Sequence, residues 1–236
     1  MTPHELAHEM ERVYGEDLRA VVLYGSAVGT DYSKRFSDFN VFCVLSEVTP
    51  AALAKSSDVL RRWMKKGNPA PHFFDPAYIE RSLDVFPLEF LDMKDRHETL
   101  IGRDPLEGIE VDRRNLRHQC ESEFKGKLIH LRTYYAANCK KPKMLARMMV
   151  EAFPTFLAAM RGVLWLLGER APADARAVVE LVGNRVDINP TVFYDIIEIR
   201  RGESLLPRGE EAAAAFERYL TEIEALTRFV DELLVN

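Results

Sequence analysis

The chain has 236 residues, 47% of them hydrophobic and 29% charged, with a formal net charge of -5 and a pI near 5.8. Such a chain can bury one substantial core or two modest ones, and two domains are expected. An acidic balance gives no overall attraction to a phosphate backbone, so a grip on long nucleic acid is not expected; a small substrate or a protein partner is.

Thr2 or Pro3 opens a first helix whose apolar face is Leu6, Met10 and Val13, and Tyr14-Gly15 ends it. A strand over Ala20 to Tyr24 follows, then a short helix or turn from Ser26 to Lys34, then a strand from Asp38 to Leu45. Thr49-Pro50 starts a helix that runs to about Lys66, where Gly67-Asn68-Pro69 stops it. His72 to Phe74 reads as a short strand, Asp75-Pro76 caps a short helix, and Val85 to Asp92 reads as one more strand.

From about Asp112 the pattern is helical throughout. Leu116, Cys120, Phe124, Leu128, Leu131 and Tyr135 form one stripe, and Phe216, Leu220, Ile223, Leu226, Val230 and Leu233 form another. Met144 to Leu167 is apolar nearly all round, as in the central helix of a bundle, while Pro172 and Pro190 open shorter helices. Residues 148–168 approach membrane length, but Glu151, Pro154 and Arg161 interrupt them, so a buried helix is expected and no membrane span. The predicted fold is α+β: a small mixed sheet with helices on one face, in a domain over residues 1–108, then an all-α helical bundle over residues 109–236.

Cys43, Cys120 and Cys139 sit in apolar or helical patterns with no Cys-x-x-Cys pair, as expected of reduced packing thiols in a cytoplasmic protein. The first residues lack a basic head and an apolar signal core, so secretion is not expected.

The densest chemistry lies in residues 21–45. An apolar strand delivers Gly25-Ser26, a turn whose bare backbone can approach a triphosphate. Thirteen residues after that glycine, Asp38-Phe39-Asn40 opens the next strand, and period-two alternation puts Asp38 and Asn40 on one face, where both can point at one cation.

This stretch resembles the nucleotidyltransferases of the DNA polymerase β superfamily, in particular the aminoglycoside-adenylyltransferase-like and minimal nucleotidyltransferase branches. Gly25, Ser26, Gly29, Ser37 and Asp38 stand where those branches have their motif. The resemblance implies a catalytic sheet followed by a helical bundle, Mg²⁺ and ATP or another nucleoside triphosphate as cofactors, and a hydroxyl on a small-molecule or protein acceptor. It implies that Asp38 bridges two metals and that a third acid comes from a strand beside the Asp38 strand. Glu89 is the first candidate for that acid, because it interrupts an otherwise apolar stretch; Asp92 is the reserve. Glu89 also reads as an edge-strand charge beside Pro87.

One position departs from the motif. Asn40 stands where the family has a second Asp or Glu. An amide oxygen can ligate Mg²⁺, but it carries no formal charge and a hard cation prefers carboxylates. Two readings therefore stand together: Mg²⁺-dependent transfer of AMP from ATP, and a degenerate nucleotide-sensing or partner-binding module on the same fold. Lys34 and Arg35 are candidates for the β- and γ-phosphates, as point charge and fork, although such loop charges are more often solvated. Arg96, His97 and Arg103 read as surface residues. Tyr134, Tyr135 and Trp165 have helical spacing, which suits core better than ring stacking. Arg113 and His118 match the Arg-to-His spacing of helical HEPN-type ribonucleases; among 32 basic residues, and with Arg114 in place of that family's polar residue, this reads as chance.

Overall fold

A computed structural model describes residues 1–28 and 39–234; Gly29, Lys34, Arg35, Ser37 and Asp38 lie outside the described residues, as does the Ser26 side chain. The chain divides into two compact units, Met1–Val111 and Asp112–Asn236.

In the first unit, helix α1 (Pro3–Tyr14) starts with a capping box: the Glu5 amide donates to the Thr2 hydroxyl, and the Thr2 amide donates to the Glu5 carboxylate. Strand β1 (Leu18–Tyr24) follows, and a single 3₁₀ turn, Gly25–Ala27, ends it. Strand β2 (Asn40–Leu45) pairs antiparallel with β1, Tyr24 opposite Asn40 and Leu18 opposite Leu45.

The helix expected over 50–66 is two helices, α2 (Pro50–Lys55) and α3 (Ser57–Met64). The break is at Ser56, fully buried, whose hydroxyl donates to the Leu53 carbonyl and accepts from the Tyr14 hydroxyl. That pairing competes with helical continuity. Strand β3 (His72–Phe74) joins β2 in parallel, Phe42 opposite His72, and Asp75 caps helix α4 (Pro76–Ser82) by accepting from the Tyr78 amide.

Residues 85–92 are not a strand. Pro87 is the first residue of helix α5 (Pro87–Asp95), where a missing N–H costs nothing, and Leu88 and Leu91, like Phe90 and Met93, bury at three-residue steps. The strand lies further on, as β4 (His97–Gly102), antiparallel to β1. Its last residue, Gly102, has φ +85° and leaves no room for a side chain, since a Cβ there would sit 2.0 Å from the Arg19 carbonyl oxygen.

The result is a mixed four-stranded sheet in the order β3-β2-β1-β4. Helices cover both of its faces. Val21, Leu23, Val41, Cys43 and Leu45 pack under Leu6 and Met10 of α1 and under Val59 and Trp63 of α3. Ala20, Val22, Phe42 and Val44 pack against Ile79 of α4 and Phe90 and Met93 of α5.

The second unit contains α6 (Arg113–Asn138), α7 (Pro142–Leu166), α8 (Ala175–Gly183), α9 (Thr191–Arg201) and α10 (Gly209–Glu232). Helix α7 is long and apolar enough to cross a membrane, yet 61% of its most apolar window is buried. Phe156 of α7 and Phe193 of α9 pack edge-on against Tyr219 of α10, which is fully buried. Tyr135 stacks on Phe216, centroids 5.5 Å apart, and so is engaged within the bundle. Arg113, first residue of α6, donates to the Leu166 carbonyl at the end of α7.

Candidate functional site

The end of the sheet where β1 stops and β2 starts carries Tyr24 and Asn40 side by side. Tyr24 follows Val22 on the face covered by α4 and α5, and Asn40 precedes Phe42 on that same face, directly opposite Tyr24. Gly25 turns the chain there with φ +80°, and a side chain on it would come within 3.5 Å of the Asn40 amide nitrogen. That distance is ordinary contact, so it is the left-handed backbone that favours glycine at this corner.

The Gly25 amide is already committed. It donates to the Arg96 carbonyl at 2.9 Å, which ties the Gly-Ser turn to the junction of α5 and β4. The Arg96 side chain, 12% exposed, forms an ion pair with Asp92 one helical turn earlier, itself 21% exposed. The Arg96 Nε is buried and has no hydrogen-bond partner among the described residues. Burial, together with the Asp92 charge, pushes the Tyr24 phenol up to about 12, so the ring stays neutral. Next along the chain, His97 is held between the Lys94 carbonyl at 3.0 Å and Asp104 at 3.1 Å. Arg96 and His97 are thus enclosed residues of the site's wall rather than surface charges, whereas Arg103 is exposed and pairs with Glu107.

Glu89 lies in the first turn of α5 and is exposed; it is not on a strand. The strands beside β2 are β1 and β3; β1 (Leu18–Tyr24) carries no carboxylate, and β3 carries His72, Phe73 and Phe74, an imidazole and two phenyl rings where a third acid is expected. Asp75, the next carboxylate, is committed to capping α4. Asp92, the reserve, is carried by the helix to within electrostatic reach of Tyr24, but Arg96 neutralises it.

The donor set for Mg²⁺ is accordingly thin. Asn40 offers a neutral oxygen, β3 offers no carboxylate, and no three His, Cys, Asp or Glu side chains among the described residues are grouped to hold a metal ion. The described residues do not fit a two-metal centre. Asp38, Lys34 and Arg35 lie outside the described residues.

No family model matches the chain, and no curated protein matches it. Among solved structures it is similar to the spectinomycin adenyltransferase AAD(9) from Enterococcus faecialis, solved with ATP and spectinomycin: TM-score 0.54, 11% identity, covering 94% of this chain and 100% of that one. At that identity the likeness is one of fold. The chain has a nucleotidyltransferase-like fold: a small mixed sheet and a helical C-terminal region.

Proposed function

We propose that the chain binds a nucleoside triphosphate at the Gly25–Asn40 corner and transfers nucleotides weakly or not at all. The observation that carries this reading is the composition of β3. A fold that does transfer chemistry with carboxylates on adjacent strands has His72-Phe73-Phe74 on the neighbouring strand here, with Asn40 as the second residue of the motif. Gly25 takes the left-handed backbone of the turn, and Lys34 and Arg35 are the cations proposed for the β- and γ-phosphates. Calorimetry with ATP beside a pyrophosphate-release assay tests the reading: saturable binding without sustained release supports it, and steady pyrophosphate release at saturating ATP refutes it.

A second reading is Mg²⁺-dependent transfer of AMP from ATP to a hydroxyl of a small molecule or protein. It is favoured by the extent of the likeness, which spans both units and the full length of an adenyltransferase solved with ATP and a small-molecule acceptor. On this reading Asp38 is the essential carboxylate, so Asp38→Ala abolishes activity. Asn40→Asp raises it by supplying the missing negative charge.

A further inference from the structure

The Asp92–Arg96 pair has no place in either reading as given, and its geometry is unusual. A guanidinium has five N–H donors in a rigid fork, and an enclosed arginine normally spends them on a bidentate carboxylate or several carbonyls. Arg96 is 12% exposed, yet it reaches a single Asp92 oxygen through Nη2, and its Nε is sealed from solvent with no acceptor among the described residues. An unsatisfied buried donor beside a neutralised carboxylate is destabilising, so the arrangement calls for a further acceptor. Its location is fixed by backbone: the Arg96 carbonyl holds the Gly25 amide, so the residue is bonded to the turn proposed to meet the triphosphate. Among the described residues, β3 brings no carboxylate to this corner and no three His, Cys, Asp or Glu side chains are grouped to hold a metal ion.

Resting on the nucleotide-binding reading, we propose that Arg96 supplies here the positive charge that metal ions supply in a carboxylate-rich site. It turns from Asp92 to a phosphate of the ligand, and binding does not require a divalent cation. Arg96 is then a ligand-binding residue and Asp92 its holder in the free protein. No covalent step is involved.

The test is calorimetric titration of the full chain with inorganic tripolyphosphate and with ATP, each in EDTA and in Mg²⁺, for the wild type, Arg96→Gln, Arg96→Lys and Asp92→Asn. The wild type binds both probes in EDTA. Arg96→Gln weakens binding by roughly ten- to a hundredfold, the range for losing a hydrogen bond to a charged group. Arg96→Lys retains part of the affinity, as a point charge without the fork. Asp92→Asn binds more tightly than the wild type, because the competing carboxylate is gone; a merely structural pair would give no such gain. Binding that appears only with Mg²⁺, or an Arg96→Gln protein that binds like the wild type, overturns the inference and leaves the nucleotide-binding reading standing. Should Arg96→Gln fail to fold, Asp92→Asn decides: tighter binding supports the proposal, and unchanged or weaker binding overturns it. A wild type that binds neither probe under either condition removes the underlying reading and the inference with it.

Discussion

The two faces of the sheet are made from alternate residues of the same strands, and they differ in kind. Under α1 and α3 the face is apolar from Leu45 and Val21 through Val41 and Leu23, with Trp63 and Met10 fully buried over it. Under α4 and α5 the face begins equally apolar at Ala20 and Val44, then ends in Tyr24 and Asn40 with Asp92 and Arg96 above them. One face holds the unit together along its length. The other does so for part of its length and gives its last positions to groups that are neutral, paired or incompletely bonded. Polar atoms there cost stability unless they are satisfied, which is why we place ligand handling at that end.

The contrast can be broken most severely on the apolar face. Trp63→Ala removes a fully buried indole and its 2.7 Å hydrogen bond to the Pro69 carbonyl. It should destabilise the first unit by about 3–5 kcal/mol in denaturant unfolding. Gly102→Ala comes next, since its Cβ would collide with the Arg19 carbonyl and its φ disfavours a side chain. A loss of about 2–3 kcal/mol is expected, read as a lower denaturant midpoint.

A pH titration separates the faces by chemistry. Burial pushes the Cys43 thiol, on the apolar face, from 9.0 to about 12, and burial with the Asp92 charge moves the Tyr24 phenol from 10.0 to about 12. Both folded values lie above the unfolded ones, so the folded chain holds the proton more tightly. The corresponding stability is full below the unfolded values of 9.0 and 10.0 and is lost as pH rises toward about 12. Tyr24→Phe should reduce the loss that begins above pH 10 and leave the part due to Cys43, measured as unfolding midpoint against pH. The smallest effect is at the edge of the apolar layer, where Thr2→Ala breaks the capping box of α1. About 1 kcal/mol is expected from the same denaturant assay.

The apolar face was the more legible of the two. Leu6 and Met10 at helical spacing, and the strand ending at Tyr24 before Gly25, identify α1 and β1 without further help. In residues 85–92, Leu88-Glu89-Phe90 alternates like a strand. Pro87 at a helix start and the buried pair Leu91 and Met93 outweigh that short alternation once α5 has a sheet face to cover. Strand β4 was hidden by its charged opening, His97-Glu98, which an edge strand paired on one side tolerates.

At the site, Gly25 and Asn40 could be read directly. The absence of a carboxylate on β3 was also in the sequence, but it acquires meaning only when β3, rather than residues 85–92, is the neighbour of β2. The Asp92–Arg96 spacing of four residues signals an ion pair only on a helix, and a strand over residues 85–92 would put the two far apart. Its link to Gly25 runs through a backbone carbonyl, which no side-chain pattern records.

The central claim is nucleotide binding at the Tyr24–Asn40 end of the sheet without efficient transfer. The most direct measurement follows pyrophosphate release from ATP at saturating protein, with binding monitored in the same samples and Asp38→Ala and Asn40→Asp run alongside. The account predicts saturable ATP binding and no sustained release by the wild type. Steady pyrophosphate release that disappears in Asp38→Ala would contradict it and establish the chain as a working transferase.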